Sequence, residues 1–580
     1  MRTLIPTFSQ REKEKIPKSP IRSSDHAREA ETETNLGINM WDDKWTGKTI
    51  GAALDEAAQR YGDKVATVFQ NGEVTYHQLK QTADLVARGF LSLGIGKGDK
   101  VAIWMAGYAE WAYVYFALAR IGAIMVPVNT RYRPEEVEYV LNKSKASILI
   151  LKEEPNKDYL SLLKELSPGA GEAADAIPNE KLPHLRKIVV SSQRSLIGCM
   201  SFDDLKNLGT SVSEATLNQA ARKVTSEDIV MIQFTSGTTA MPKGAMLYHV
   251  AMLRGAYYGS QVLKLTEADR FFSPQPFFHV GGSIKVMLAP IVSGCTMIVQ
   301  PYFDAGEALE LMERHQCNVL MGHQPHFIEY LNHPELKKRR LVLEKGMIFA
   351  SPEINKRVYD EMGIKKLISP YGLTETHIGG TVCEMDDPLE LRMTTVGRPM
   401  PGVEMGIRQP EGKDFLPAGE PGEVCFKGWC ITKGYFDDPQ KTAEALDDEG
   451  WFRTGDLGVI GSDGYVRLVG RIKDMIRVGG ENVAAADVEA VLLKHDAVKQ
   501  AVAVGMADDR LVEVVAVFVE LKSGKPATEQ EIMDYCRQHL ASFKVPRRVV
   551  FVNDWPMTGA GKIQRFVLKD SLARDHQRSG

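Results

Sequence analysis

No two cysteines in this sequence stand at Cys-x-x-Cys spacing. Cys199, Cys295, Cys317, Cys383, Cys425, Cys430 and Cys536 are scattered along 580 residues. That excludes a zinc ribbon or a dense disulfide frame and suits buried thiols in a reducing compartment. An apolar run of about 18 residues, the length of a spanning helix, is missing too. The best stretch, residues 111–128, is broken by Arg120, Gly122 and Pro127. Neither sign of charge is in excess: a formal net charge of −4 gives no general reason to expect nucleic acid as a partner. Residues 1–40 have few large apolar groups and read as a disordered leader. They lack the apolar segment of a secretory signal, and Glu12, Glu14, Glu29, Glu31 and Glu33 argue against a transit peptide. The expected location is the cytoplasm, and Met40 is the expected natural start.

What is present is a large globular chain. Its length implies two or more domains, and 44% hydrophobic with 25% charged residues is a globular composition. Residues 49–62 have helical spacing, with Ile50, Leu54, Ala57 and Ala58 on one face. Residues 65–70 and 73–76 flank Asn71-Gly72, a hairpin signal. Thr75 and Gln78 have the spacing of a capping box. The glycines Gly94, Gly96 and Gly98 end a helix and precede a strand, the reverse of a dinucleotide fingerprint, and read as a turn. Strands at 101–105, 124–128 and 147–151 then alternate with helices at 109–122 and 134–143, which argues for βαβ units and a parallel sheet. From Gly397 short strands with dense Gly and Pro suggest a β-rich subdomain, and the charged break at 471–474 leads into a small unit with strands near 498–505 and 512–520 and a helix near 528–540. The expected fold class is α/β. A large N-terminal lobe of βαβ-built sheets with a β-rich subdomain spans 41–470, a hinge 471–473, and a small mobile α+β C-terminal domain 474–580.

The densest chemistry begins at Ile229. An apolar, branched run to Phe234 reads as a buried strand and discharges into Thr235, Ser236, Gly237, Thr238 and Thr239, with Pro242, Lys243 and Gly244 closing the loop. Small residues let backbone N–H groups approach an anion, hydroxyls add donors, and a lysine supplies a mobile positive charge. That is the chemistry of a polyphosphate cradle. It is not a Walker loop, because Gly244 and not Ser or Thr follows Lys243. A polar turn after a strand would use the same residues, so the rest of the chain must decide. Downstream, Tyr371 beside Gly372 can lie flat against a purine, Thr374 offers a hydroxyl, and Glu375 can hold a magnesium ion that bridges phosphates. A lone Glu is more often a solvated surface residue. Asp456, after Gly455, can accept from a ribose diol or simply sit in a turn. Lys562 stands on a Gly-rich loop that can carry it to a distant site or leave it in solvent.

The order and spacing of these stretches resemble the adenylate-forming superfamily of acyl-CoA synthetases, non-ribosomal adenylation domains and beetle luciferases, over residues 45–575. Within it the closest look is to medium-chain fatty acyl-CoA synthetases. The resemblance implies two steps. A carboxylate attacks the α-phosphate of MgATP to give an acyl adenylate and pyrophosphate, and the thiol of coenzyme A then displaces AMP. Position by position, it implies that Thr235, Ser236, Gly237, Thr238, Thr239 and Lys243 hold the β- and γ-phosphates. It places Tyr371 and Gly372 on adenine, opposite Ala350-Ser351-Pro352, with Thr374 on phosphate and Glu375 on Mg2+. Asp456 and Arg471 would take the ribose, and Lys562 would bridge carboxylate and α-phosphate oxygens. Lys473 matches the hinge of a rotating small domain, and Gly480 lines a pantetheine tunnel. His279, in Phe277-Phe278-His279-Val280-Gly281-Gly282, matches an aromatic-His motif beside the acyl site, where a packed structural histidine is the plainer alternative.

Several positions depart from the family pattern. Ala240 stands where glycine is usual, Ser369-Pro370 precede Tyr371 where glycine is common, Ala484-Ala485 replace Tyr-Pro, and Val512 replaces the glycine before Glu513. None removes a group the chemistry needs. The competing readings are an adenylating enzyme that loads a carrier protein and a non-catalytic nucleotide- and acyl-binding module; Glu375, Asp456 and Lys562 together speak against the second. Residues 278–284, 322–325 and 379–381 are expected to line the acid pocket. Small and apolar apart from His323 and Gln324, they suit a medium-chain fatty, alicyclic or aromatic acid better than a strongly charged one. Oligomeric state is not legible, a homodimer being one option.

Overall fold

Side chains alternate along the central strands, and both faces of each strand are covered. The structure, a computed structural model, describes residues 44–155, 157–235, 241–410, 412–479, 481–508, 510–557 and 563–579. The expected leader, Ser236, Gly237, Thr238, Thr239, Ala240, Gly480 and Lys562 lie outside the described residues. In chain order the first hairpin is β1 (Val65–Phe69) and β2 (Gly72–Thr75). Next come β3 (Lys100–Trp104), β4 (Ile124–Pro127), β5 (Ile148–Lys152), β6 (Lys187–Ser191), β7 (Met200–Ser201), β8 (Ile229–Thr235) and β9 (Lys243–Tyr248). They form a seven-stranded sheet in the order β7-β6-β5-β3-β4-β8-β9. β10 (Arg270–Phe272), β11 (Thr296–Ile298), β12 (Val319–His323), β13 (Lys345–Phe349) and β14 (Lys366–Ile368) join the first hairpin in a second sheet, ordered β14-β13-β12-β10-β11-β1-β2. Each sheet is parallel except for one antiparallel hairpin at its edge, β8–β9 or β1–β2.

The sheets share one core. Val101, Ile103, Ile148 and Ile150 face it from the first sheet, and Met297, Val319, Met321 and Met347 from the second. Helices α1 (Ile50–Tyr61), α2 (Tyr76–Ser92) and α3 (Ala109–Ile121) fill the space between. α4 (Pro134–Ser144) covers the outer face of the first sheet, over Ala102, Trp104, Leu149 and Leu151. α5 (His249–Val262) returns to the shared core, and α6 (Gln324–Asn332) and α7 (Pro352–Glu361) cover the outer face of the second sheet. Helix starts follow the sequence signals. Thr49 Oγ1 accepts from the Ala52 N–H at 3.2 Å, and Thr75 and Gln78 exchange both capping-box bonds.

The β-rich part is as expected. β15 (Pro370–Tyr371), β16 (Thr381–Val382) and β17 (Arg398–Pro399) make a small sheet. β18 (Val403–Arg408), β19 (Gly422–Gly428), β20 (Phe452–Ile460) and β21 (Val466–Arg471) make a four-stranded antiparallel one. The C-terminal sheet contains β22 (Met475–Val478), β23 (Glu481–Ala484), β24 (Val498–Asp508), β25 (Val512–Leu521) and β26 (Arg548–Phe551). Helices α8 (Ala485–Leu492) and α9 (Glu529–His539) pack on one face and α10 (Arg565–Ser579) on the other. β22, β23 and α8 had no sequence assignment. α8 starts at Ala484 with no side-chain cap, because alanine carries no acceptor to offer the first helical N–H groups.

Two features carry measurable stability. Val512 has φ +68° and is 68% exposed, so a β-branched residue occupies the left-handed region with no packing to compensate. Val512→Gly is expected to gain about 1 kcal/mol in urea melts; an unchanged or lower midpoint refutes the strain. His249, His326 and His377 are buried, and desolvation lowers each pKa to about 4. They stay neutral in the fold: Nδ1 of His249 accepts from the Ile50 N–H at 3.2 Å, and Nδ1 of His326 from the His323 N–H at 3.2 Å. An unfolded histidine titrates near 6.5. The unfolded chain therefore binds more protons between pH 6.5 and 4, and this stability is complete above that window and lost as pH falls through it. Melts across this range should show a falling midpoint, worth on the order of 3 kcal/mol per histidine; a flat profile excludes this account.

Candidate active site

Lys243 opens a strand. β9 runs antiparallel to β8 with Lys243 opposite Thr235, an element not assigned from the sequence. The free edge of β9 is covered by residues 433–436. The Phe436 N–H donates to Gly244 O at 2.7 Å, the Met246 N–H to Gly434 O at 2.9 Å, and the Lys433 N–H to Met246 O at 3.2 Å. This pairing inserts Tyr435 between two expected site residues. Its ring lies 5.1 Å from the Lys243 ammonium, and its hydroxyl donates to Glu375 Oε1 at 2.9 Å. The Thr432 N–H also donates to the Glu375 backbone carbonyl at 2.7 Å. Burial first, and the Glu375 charge second, push the Tyr435 phenol up, so it stays a donor.

The second cluster is built on β15, β20 and β21. Tyr371 is buried, and its hydroxyl donates to Asp456 Oδ2 at 2.6 Å. Arg471 stands opposite Asp456 in the β20–β21 ladder, with Nε 2.7 Å from Oδ1. Both carboxylate oxygens are therefore oriented by the protein. Burial, and then Asp456, raise the Tyr371 phenol. At Gly372 the chain passes so close to Ile378 that a Cβ would stand 2.9 Å from its carbonyl carbon. Thr374 is buried on the short 3-10 turn Thr374–Thr376. His377 ends that turn in the left-handed conformation. Its Nδ1–H donates to Cys430 O at 2.6 Å, and its Nε2 accepts from the Tyr248 N–H at 3.3 Å.

Ala350, Ser351 and Pro352 lie at the start of α7, where Ser351 is the N-cap residue and its N–H donates to Gln324 Oε1 at 2.9 Å. One turn on, Asn355 Nδ2 donates to Ser369 Oγ at 2.9 Å, which ties this helix to the segment carrying Tyr371. His279 is half-buried, with Nδ1 accepting from the Gly281 N–H at 3.2 Å. Its ring centroid is 6.0 Å from that of His323, itself 4.9 Å from Phe349. Gly282 permits this packing, because a Cβ there would meet Pro276 O at 2.2 Å. Lys473 is exposed, and partial desolvation, then Arg471 and more weakly Lys243, lower its pKa.

Two groups are thus assembled: Lys243, Tyr435 and Glu375, and Tyr371, Asp456 and Arg471. Tyr435 and His377 escaped sequence reasoning, and Gln324, expected at the acid pocket, instead accepts from the Ser351 N–H. Only His377, adjoining Glu375-Thr376, had a local signal. Among the described residues no three His, Cys, Asp or Glu side chains form a metal cage. Glu375 accepts from Tyr435 through one carboxylate oxygen, and its Oε2 accepts no bond among the described residues. One carboxylate with phosphate oxygens suits magnesium, which keeps few protein ligands, so the residues fit that ion.

The AMP-binding enzyme family matches residues 54–436, and the AMP-binding enzyme C-terminal domain matches residues 487–562. The YngI protein of Bacillus subtilis (strain 168) is 36% identical over 530 residues, covering 90% of this chain and 96% of that one. The mitochondrial medium-chain acyl-CoA ligase ACSF2 of Rattus norvegicus is 35% identical over 545 residues, 92% of this chain and 88% of its own. Among solved structures, the anthranilate CoA ligase AuaEII in complex with anthranoyl-AMP has a TM-score of 0.81 at 26% identity, over 91% of this chain and 97% of that one. The fold, the two clusters and these matches agree: the chain belongs to the AMP-binding enzyme family, as an acyl-CoA synthetase of the AMP-forming acid–thiol ligase kind.

Proposed function

We propose that the protein activates a medium-chain fatty, alicyclic or aromatic carboxylic acid as its acyl adenylate and passes the acyl group to coenzyme A. The observation that supports this most is the convergence of Lys243, Tyr435 and Glu375 at the end of β8, where a phosphate-binding loop is expected. ACSF2 is named for medium-chain acids and AuaEII for anthranilate, and the apolar stretches flanking His279 and His323 suit both kinds. Six of the seven cysteines are buried free thiols and Cys199 is half-buried, which fits a cytoplasmic setting.

A carboxylate is a poor acyl donor because its leaving group would be oxide; adenylation supplies AMP instead. Transfer at phosphorus asks the protein chiefly for positioning and charge neutralisation. In this reading Lys243, Thr235 and the loop residues Ser236, Gly237, Thr238 and Thr239 hold the β- and γ-phosphates. Tyr371, Gly372 and the segment Ala350-Ser351-Pro352 bracket the base, Thr374 reaches a phosphate, and Asp456 with Arg471 takes the ribose. Magnesium on Glu375 neutralises phosphate charge when bound. His279 borders the acid. Lys562 brings its ammonium from the C-terminal domain to carboxylate and α-phosphate oxygens. Rotation about residues 471–473, with Lys473 at the hinge, then exchanges it for the Gly480 segment and its pantetheine path. The proposed domains are 41–470 and 474–580.

The full-length protein is expected to catalyse carboxylate-dependent ATP–pyrophosphate exchange and to release AMP faster when CoA is added. Exchange without CoA stimulation transfers the assignment to carrier-protein loading, and no exchange with any acid of a broad panel defeats the proposal. The two half-reactions should separate by mutation. Lys562→Ala is expected to slow exchange by about 100- to 1,000-fold, while thioester formation from supplied acyl adenylate stays within a few-fold. Gly480→Trp should do the reverse. Equal losses in both half-reactions for either variant remove the rotation from the mechanism.

A further inference from the structure

Lys285 is 4% exposed and lies on the π-helical turn Gly281–Val286, six residues after His279. Its ammonium donates to Gly255 O of α5 at 2.6 Å, and no carboxylate pairs with it among the described residues. An ammonium carries three donors, so its hydrogen-bonding capacity is incompletely used. Burial alone lowers its pKa to about 7. A methionine would fill the same space without that desolvation cost, and buried charges without a partner are disfavoured for this reason. Nearby, Gly259 keeps room for the ammonium: a Cβ there would stand 2.8 Å from Nζ.

The ammonium borders a cavity of about 10 Å³, lined also by Ala256, Gly259, Leu263, Met321 and Met347. Met321 precedes His323 by two residues on β12, and Met347 precedes Phe349 by two on β13. Residues two apart share a strand face, so the cavity lies one pleat repeat, about 7 Å, beneath the rings of His323 and Phe349. Those rings stand at the carboxyl ends of parallel strands, where α/β sheets present ligands. An acid whose tail passes the rings runs toward Lys285. Methionine side chains, unbranched and adaptable, form the part of the wall that must give way.

We propose that Lys285 reads the far end of the acid, and that the substrate carries there, several atoms from the reacting carboxylate, an oxygen acceptor that docks on this ammonium. The inference rests on the acid-activating reading above and narrows its acid class. A terminal hydroxyl, keto group or second carboxylate shares this chemistry.

The test compares kcat/KM in ATP–pyrophosphate exchange for plain fatty acids and their terminally oxygenated counterparts across a series of medium chain lengths. The wild-type protein is expected to favour an oxygenated acid at one chain length by tenfold or more, and the preferred counterpart identifies the group. Lys285→Met should lower that ratio at least tenfold while its melting temperature holds or rises, which a merely structural lysine would not produce. If Lys285→Met does not fold, Lys285→Gln is measured in its place. A wild-type protein that exchanges plain acids as well as every oxygenated one overturns the inference and leaves the acid-activating reading intact, as does a variant that keeps the preference. No exchange with any acid overturns both.

Discussion

Three backbone hydrogen bonds between β9 and residues 433–436 hold the site together. Without them β9 would be an open edge, and the hairpin carrying Thr235 and Lys243 would have no fixed relation to Glu375. With them, residues nearly two hundred positions apart become neighbours in one sheet. The same segment supplies the Tyr435 hydroxyl to Glu375 and the Thr432 N–H to its backbone. Strand pairing makes this precise, because its register is set by a ladder and not by flexible side chains. Thr235 and Lys243, at the facing ends of β8 and β9, therefore keep a fixed register.

A second constraint is electrostatic orientation. Tyr371 and Arg471 each take one oxygen of Asp456, so the carboxylate plane is set before any ligand arrives. Such preorganisation spares the reorganisation that water-exposed groups would need. His377 acts similarly on the backbone: neutral and bonded at both ring nitrogens, it links the turn that carries Glu375 to the end of β9 and to Cys430. Lys243, Arg471 and Lys473 gather beside these acids. A net charge of −4 thus conceals a local concentration of cations, which averaging over the chain does not reveal.

Much of the scaffold was legible because its causes are local. The apolar runs of β3 and β5, the cap at Thr75 and the Asn71-Gly72 turn each depend on residues a few positions apart. β9 escaped because Pro242 and Gly244 mask a strand whose partner fixes it. α8 escaped because Ala484 offers no cap, leaving tertiary packing to define its start. At the site, the chemistry-bearing residues were legible as types, and the structure brings Lys243 to Glu375 and Tyr371 to Asp456. Tyr435 was not legible: nothing in its own neighbourhood distinguishes it from a core tyrosine, and its role arises from the pairing with β9.

Lys285 shows the same limit from the opposite side. In sequence it is one charge in an apolar stretch, just past residues 278–284, which were expected to line an apolar acid pocket. The fold buries it, since the π-helical turn directs the side chain into the shared core beneath α5. The two groups of cations then differ in kind. Lys243, Arg471 and Lys473 lie near acids and partial solvent, where exchanging neighbours for phosphate oxygens changes little in total hydration. Lys285 has lost its hydration and kept one carbonyl. A group in that state gains most from a new acceptor, because the desolvation has already been spent in folding. Burial that weakens the free protein is therefore the same feature that would sharpen discrimination between a tail with an oxygen and a tail without one.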